Sequence, residues 1–246
     1  MTSTISFTPI LERAARRKGG EDILLSVLGP VPDPGVLASL GDDRALALMT
    51  KCIFRSGFVW RVIEHKWPGF EDAFESFDAR ALTHKPDEFW DALTMDKRIV
   101  RNGAKIMAVR DNAALVLAIA REHGSFGRFL ANWPGDDITG LWDLLARRAS
   151  RLGGMTGRYF VRFAGKDCLI PSRDMVAALR DGGLDIAANP TSKRDLKKIE
   201  TLFNAWHAET GLCHTHLSRI AAMSTGENHD ADTIASRGGA VMEEAG

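Results

Sequence analysis

The chain is poor in cysteine. Among 246 residues only Cys52, Cys168 and Cys213 occur, far apart, with no Cys-x-x-Cys and no cysteine–histidine pairs at finger spacing. A disulfide scaffold is excluded, and a structural zinc site of the usual kinds is not expected. Long apolar runs are missing too. Stretches such as 113–120 are short and bounded by charge, so nothing is expected to span a membrane. The first residues carry no basic segment ahead of an apolar one, so no secretory signal is expected and a reducing, cytoplasmic location fits. Charge of one sign is absent: 32 Lys and Arg balance 32 Asp and Glu. Taken whole, that argues against a uniformly basic nucleic-acid binder.

What is abundant points to helix. Ala and Leu number 31 and 24, against 11 Val and 14 Ile. Helix formers dominate strand formers, so the fold class expected is all-α. Hydrophobic residues make up 45% of the chain, enough for a sizeable core. Helices are read at 5–18, 43–55, 86–93, 95–101, 104–122, 127–133, 138–149, 172–180, 193–209 and 214–223. Leu46, Met49 and Ile53 repeat at helical spacing. Asp33 before Pro34, Asp78, and Thr191 or Ser192 are candidate caps. Gly124 is a helix stop. A run over 59–66 is expected to break before Pro68. One helical unit over 1–223 is expected, followed by a disordered tail over 224–246, which is small and polar.

One turn carries chemistry. Leu152-Gly153-Gly154-Met155-Thr156-Gly157 lies between two helical segments, a helix-hairpin-helix pattern at about 142–165. Glycines let the backbone approach a phosphate closely. The helix that follows starts with unpaired N–H groups and a partial positive charge. Backbone donors at Gly154, Met155, Thr156 and Gly157, with Arg158, are therefore candidate phosphate contacts, and a monovalent cation at the turn is a candidate companion. An ordinary αα-hairpin would explain the same glycines. The local charge favours the first reading: residues 147–180 hold eight Lys and Arg against two Asp, in a chain that sums to zero.

Several segments together resemble DNA-3-methyladenine glycosylase I. They are Ser56-Gly57-Phe58-Val59-Trp60; Phe70, Phe74, Phe77 and Asp78; Arg98-Ile99-Val100-Arg101-Asn102-Gly103-Ala104-Lys105-Ile106 with Asn112-Ala113; and the hairpin with Tyr159. The resemblance covers roughly 43–180. It implies the two-lobed, all-α helix-hairpin-helix DNA glycosylase fold. It also implies a base-excision repair activity on damaged double-stranded DNA, in which an alkylated purine such as 3-methyladenine is flipped out and its N-glycosidic bond hydrolysed.

By that resemblance, Cys52, Trp60 and Tyr159 fall at the base pocket. Trp60 falls on a base-stacking tryptophan, although spacing alone equally allows a core residue. Cys52 stands where the family has a pocket glutamate, and a thiol cannot replace a carboxylate that accepts hydrogen bonds. Asp174 falls near the superfamily's catalytic aspartate, with Asp167 as the alternative. The family's zinc ligands have no counterparts: Asp174 and Ala178 stand at two of their positions, so no metal is expected. Lyase members carry Lys where this chain has Arg158, which stays protonated and forms no Schiff base. The implied enzyme is monofunctional and monomeric, cytoplasmic and nucleoid-associated when bound to DNA. The alternative is a DNA- or lesion-binding protein of the same fold with lost or altered catalysis.

Overall fold

A computed structural model describes residues 5–228. Among them the regular elements are helical. In chain order they are α1 (Thr8–Lys18), α2 (Glu21–Ser26), α3 (Pro34–Ala38), α4 (Asp42–Arg55) and α5 (Trp60–Ala73). Then come α6 (Ala79–Thr83), α7 (Asp87–Leu93), α8 (Gly103–His123), α9 (Phe126–Asn132) and α10 (Ile138–Arg148). The last are α11 (Gly154–Phe163), α12 (Arg173–Asp181), α13 (Lys193–Thr210) and α14 (His214–Met223). No helix of the described residues is long and apolar enough to cross a membrane.

The chain divides into two compact units. Of the described residues, one contains those up to Asp33, Pro134–Thr139 and those from Asp167 on; the other contains Pro34–Trp133 and Gly140–Lys166.

The second unit is built around α8, which packs on α4, α6, α7 and α9. Leu46, Met49 and Ile53 of α4 and Ile106, Val109 and Val116 of α8 are all buried. Burying each such side chain is worth about 1.5–3 kcal/mol. On its other side α4 meets α11, which buries Phe160 and Val161. Asn102 caps α8 by accepting from the Lys105 N–H, Gly124 ends it, Ser125 caps α9 and Asp78 caps α6.

Two expected features differ here. First, α5 does not break before Pro68 but runs through it to Ala73. A proline inside a helix costs about 3 kcal/mol. Packing offsets this: Phe70 and Phe74 are fully buried, and Trp67 stacks on Phe70 and Phe77 at 5.3 and 5.5 Å. Second, 95–101 is not a helix. Asp96 accepts from the Arg98 backbone N–H at 2.8 Å, a side-chain turn that competes with helix.

In the first unit α14 packs on α1, α12 and α13. Asp167 accepts from the backbone N–H groups of His214 and Thr215 at 3.0 and 2.8 Å and so caps α14. Ser192 is the cap of α13. Residues 224–228, expected as the start of the tail, are held on α1: Arg17 donates to the carbonyls of Met223, Thr225 and Gly226. The rest of the expected tail, 229–246, lies outside the described residues.

Candidate nucleic-acid interface and base platform

The hairpin is shaped by its neighbours as much as by its glycines. Ser150 follows the end of α10. Its N–H donates to the Asn112 side chain at 2.8 Å, and its carbonyl accepts from that side chain at 3.0 Å. Arg151 adopts φ +59°, uncommon for a residue with a Cβ, and its Nε donates to the Ala104 carbonyl at 3.1 Å. Leu152 is buried and pins the turn. Gly157 packs directly on the Leu152 carbonyl: a Cβ there would lie 2.0 Å from that oxygen. Gly153, Gly154 and Met155 stay exposed, and Thr156 is half-buried. No side chain at Gly153 caps α11. The exposed turn thus presents the start of α11 outward, the geometry an anion needs.

Arg158 does not share that exposure. It is buried, its guanidinium carbon lies 4.9 Å from the Trp142 ring centre, and Nη1 reaches the Met155 sulfur at 3.6 Å. Burial lowers its pKa. Its expected place on a DNA-binding face is therefore corrected: the side chain folds inward beneath the turn. The cations left outward around the hairpin are Arg147, Arg148 and Arg151.

Trp60 opens α5 and is 47% exposed, not a core residue. Its ring stands perpendicular to those of Tyr159 and Phe163, each at 6.3 Å, and these two lie 5.5 Å apart. The structure brings Trp60 and Tyr159 together as expected, and adds Phe163. Behind them α4 supplies an ionic layer. The Arg55 guanidinium lies 5.0 Å from the Trp60 ring centre. It donates through Nε and Nη2 to one Glu64 oxygen at 2.8 and 2.5 Å. Lys51 Nζ meets the other oxygen at 3.2 Å. Lys51 and Arg55 are themselves buried. Cys52 is buried between them in α4. The carboxylate of the cluster is thus Glu64, one helical turn beyond Trp60, which sequence reasoning did not single out. The i,i+4 spacings of Trp60 with Glu64 and Lys51 with Arg55 were the available signal.

Lys105 fixes the segment that carries Trp60. Its Nζ donates to the carbonyls of Phe54 and Ser56 at 3.2 and 2.6 Å and lies 4.6 Å from the Phe58 ring centre. A cation at the C-terminal end of α4 also complements that helix's dipole. Burial lowers the Lys105 pKa, and the nearby Arg151 charge adds to the lowering.

Asp174 stands in the first turn of α12, in the other unit, after the N-cap Ser172. Its carboxylate is 3.7 Å from Arg173 Nε, and its carbonyl accepts from Thr225 at 2.6 Å. The carboxylate packs against Gly226, where a Cβ would come within 2.5 Å. Asp167 is occupied as the cap of α14. Burial pulls its carboxyl up, but hydrogen bonds from His214 and Thr215 together outweigh this and hold it well below the usual carboxylate range. His214 also meets Asn204 at 2.8 Å. No group of three or more His, Cys, Asp or Glu among the described residues is placed to hold a metal.

Residues 36–143 match the family model described as methyladenine glycosylase. That stretch is less than half of the chain. The matched stretch contains Cys52, Trp60, Glu64 and Lys105, and ends before the hairpin turn. Among solved structures, the 8-oxoguanine DNA glycosylase of Methanocaldococcus jannaschii is similar at 15% identity. It covers 89% of this chain and 95% of its own, with a TM-score of 0.50. The 3-methyladenine DNA glycosylase I of Staphylococcus aureus is similar at 21% identity. It covers 75% of this chain and 100% of its own, with a TM-score of 0.45. A further 3-methyladenine DNA glycosylase I is 20% identical over 50% of this chain and 78% of its own, at a TM-score of 0.43. The fold is all-helical, of the helix-hairpin-helix DNA glycosylase type.

Proposed function

We propose that the protein is a monofunctional DNA glycosylase of the 3-methyladenine type. It holds damaged duplex DNA by backbone donors of 154–157, turns a modified purine out of the stack onto Trp60, and hydrolyses its N-glycosidic bond. The observation that carries this reading is the half-exposed Trp60, edged by Tyr159 and Phe163, within the stretch that matches the family. Base–aromatic stacking of this kind is worth about 1–3 kcal/mol. Asp174 is the carboxylate assigned to the developing sugar cation. Arg158 cannot form a Schiff base, so no strand cleavage accompanies release. The chain lacks the family's zinc-ligand set, so activity should persist after treatment with a chelator. The protein acts as a monomer.

The test is incubation with methylated duplex DNA and chromatography of the freed bases. Release of 3-methyladenine is expected, lost in Trp60→Ala and in Asp174→Asn. Intact DNA binding with no release would favour the alternative, a lesion-binding protein of the same fold. The replacement of the family's glutamate by Cys52 is the specific observation on that side.

A further inference from the structure

Arg151 departs from the pattern of the arginines beside it. Arg147 and Arg148 have acidic partners, Asp143 at 3.0 Å and Glu122 at 3.9 Å. Arg151 forms no ion pair with a described carboxylate. Its one side-chain hydrogen bond among the described residues runs from Nε to the Ala104 carbonyl at 3.1 Å. The side chain is exposed, and its two Nη groups bond to none of the described residues.

The backbone is as unusual as the charge. Among the described residues other than glycine, φ is left-handed only at Glu75, Ser76, Phe77 and Arg151. The first three are consecutive, whereas Arg151 stands alone at φ +59°. A residue with a Cβ is strained there, and such strain persists only where the surroundings over-determine it. They do so here: Ser150 before it is clamped to Asn112, and Leu152 after it is buried.

Apart from the Nε bond, what surrounds this arginine opposes it. Glycine would occupy a left-handed position without strain. The guanidinium is held at the first turn of α8, where the helix dipole disfavours a cation. Lys105, the residue after Ala104, is a second cation and is buried. Arg151 belongs to the same compact unit as the turn and stands three residues before α11 begins. A cation held there against strain, dipole and like charge suits an anion that arrives from outside.

We propose that Arg151 is a DNA ligand: its Nη groups take a phosphodiester of the strand held at the hairpin, and the strained backbone aims them outward for it. A planar fork donates to two phosphate oxygens at once, and the bond to Ala104 fixes the fork before DNA arrives. This rests on the DNA-binding part of the glycosylase reading above and adds a named cation to it.

The test uses the full chain and a duplex carrying one methylated purine. Affinities are measured over a salt series, and thermal unfolding of each variant is followed without DNA. Arg151→Gly relieves the strain, so it should unfold at or above the parent's temperature. It should nevertheless bind about tenfold more weakly at low salt, and the slope of log affinity against log salt should shrink by about 0.9, the share of one phosphate contact. Arg151→Gln keeps a Cβ at the turn and should lose the same slope. Arg151→Lys keeps the charge but loses the fork: its slope should be kept and its affinity fall by about threefold. Parental slope and affinity in the Gly and Gln variants overturn the proposal. So does a Lys variant equal to the parent, because charge alone would then suffice. Base release by the parent with unmoved slopes overturns the proposal and leaves the glycosylase reading standing. DNA binding without release overturns the glycosylase reading, and the slopes still decide the role of Arg151. A parent that binds no duplex overturns both.

Discussion

Asn112 and Ser150 exchange two hydrogen bonds, one in each direction, at 2.8 and 3.0 Å. The pair joins the buried middle of α8 to the residue at which the chain leaves α10 for the hairpin. An amide is the side chain that both donates and accepts at this reach. The Asn-Ala pair of the sequence resemblance is thereby given a physical role: it sets the register of the turn.

Asn112→Ala should remove both bonds and leave the Ser150 N–H and carbonyl unpaired. A cost of about 1–3 kcal/mol is expected. Thermal unfolding would report the loss, and amide exchange should show it concentrated over 149–157. DNA affinity should fall with it. A destabilised protein with unchanged affinity would show that the hairpin does not hold DNA.

Gly157→Ala should act on the same turn by a different cause. The added methyl would meet the Leu152 carbonyl at 2.0 Å, so the backbone must open. Strain of this kind costs about 1–3 kcal/mol. Gly135→Ala is the control: no neighbouring atom lies near its Cβ. It should stay within about 0.5 kcal/mol of the parent. Denaturant unfolding of the two variants compares them directly.

Lys105→Met keeps the apolar stem and removes the ammonium that holds the Phe54 and Ser56 carbonyls. The 56–59 segment should loosen and Trp60 lose its fixed place. Base release should fall more than DNA affinity does. The sign of its pH effect follows from the lowered pKa. A folded state that sheds the Lys105 proton before the unfolded chain does gains stability as pH rises toward about 10.5. The variant should lack that contribution. Equal loss of release and of binding would remove Lys105 from the positioning of Trp60.

Helix composition and caps were legible in the sequence because they are local. Ser192, Asp78 and Gly124 act where they were read, and Leu46, Met49 and Ile53 face the core. The family match overlaps the first three segments that carried the resemblance and ends before the hairpin. What the sequence could not show depends on packing across elements. Pro68 stays helical because the Trp67, Phe70 and Phe77 stack outweighs a local cost. Arg158 looked like a surface cation, but Trp142, sixteen residues earlier, offers its ring face and draws the side chain inward. Glu64 went unnoticed because its partners, Lys51 and Arg55, lie on another helix. A vacancy at Cys52 reads as a loss in one dimension, whereas in three the neighbouring helix brings a carboxylate to the same cluster.

Asp167 yields a prediction at acid pH. Its folded-state pKa lies below that of the unfolded carboxyl, about 3.9. Its contribution to stability is therefore present above that value and declines as pH falls below about 4, where the unfolded chain binds the proton first. Asp167→Asn should destabilise the protein at pH 7, because α14 loses a charged cap that accepts from both His214 and Thr215. The gap between parent and variant should shrink steadily as pH is lowered through that range, since the variant has no carboxyl to protonate at this position. Comparing the two chains cancels the titration of the other carboxylates. Denaturant unfolding of both at pH 7, 5, 4 and 3 measures the gap. A gap that stays constant from pH 7 to 3 would show that the cap acts through its shape and not its charge.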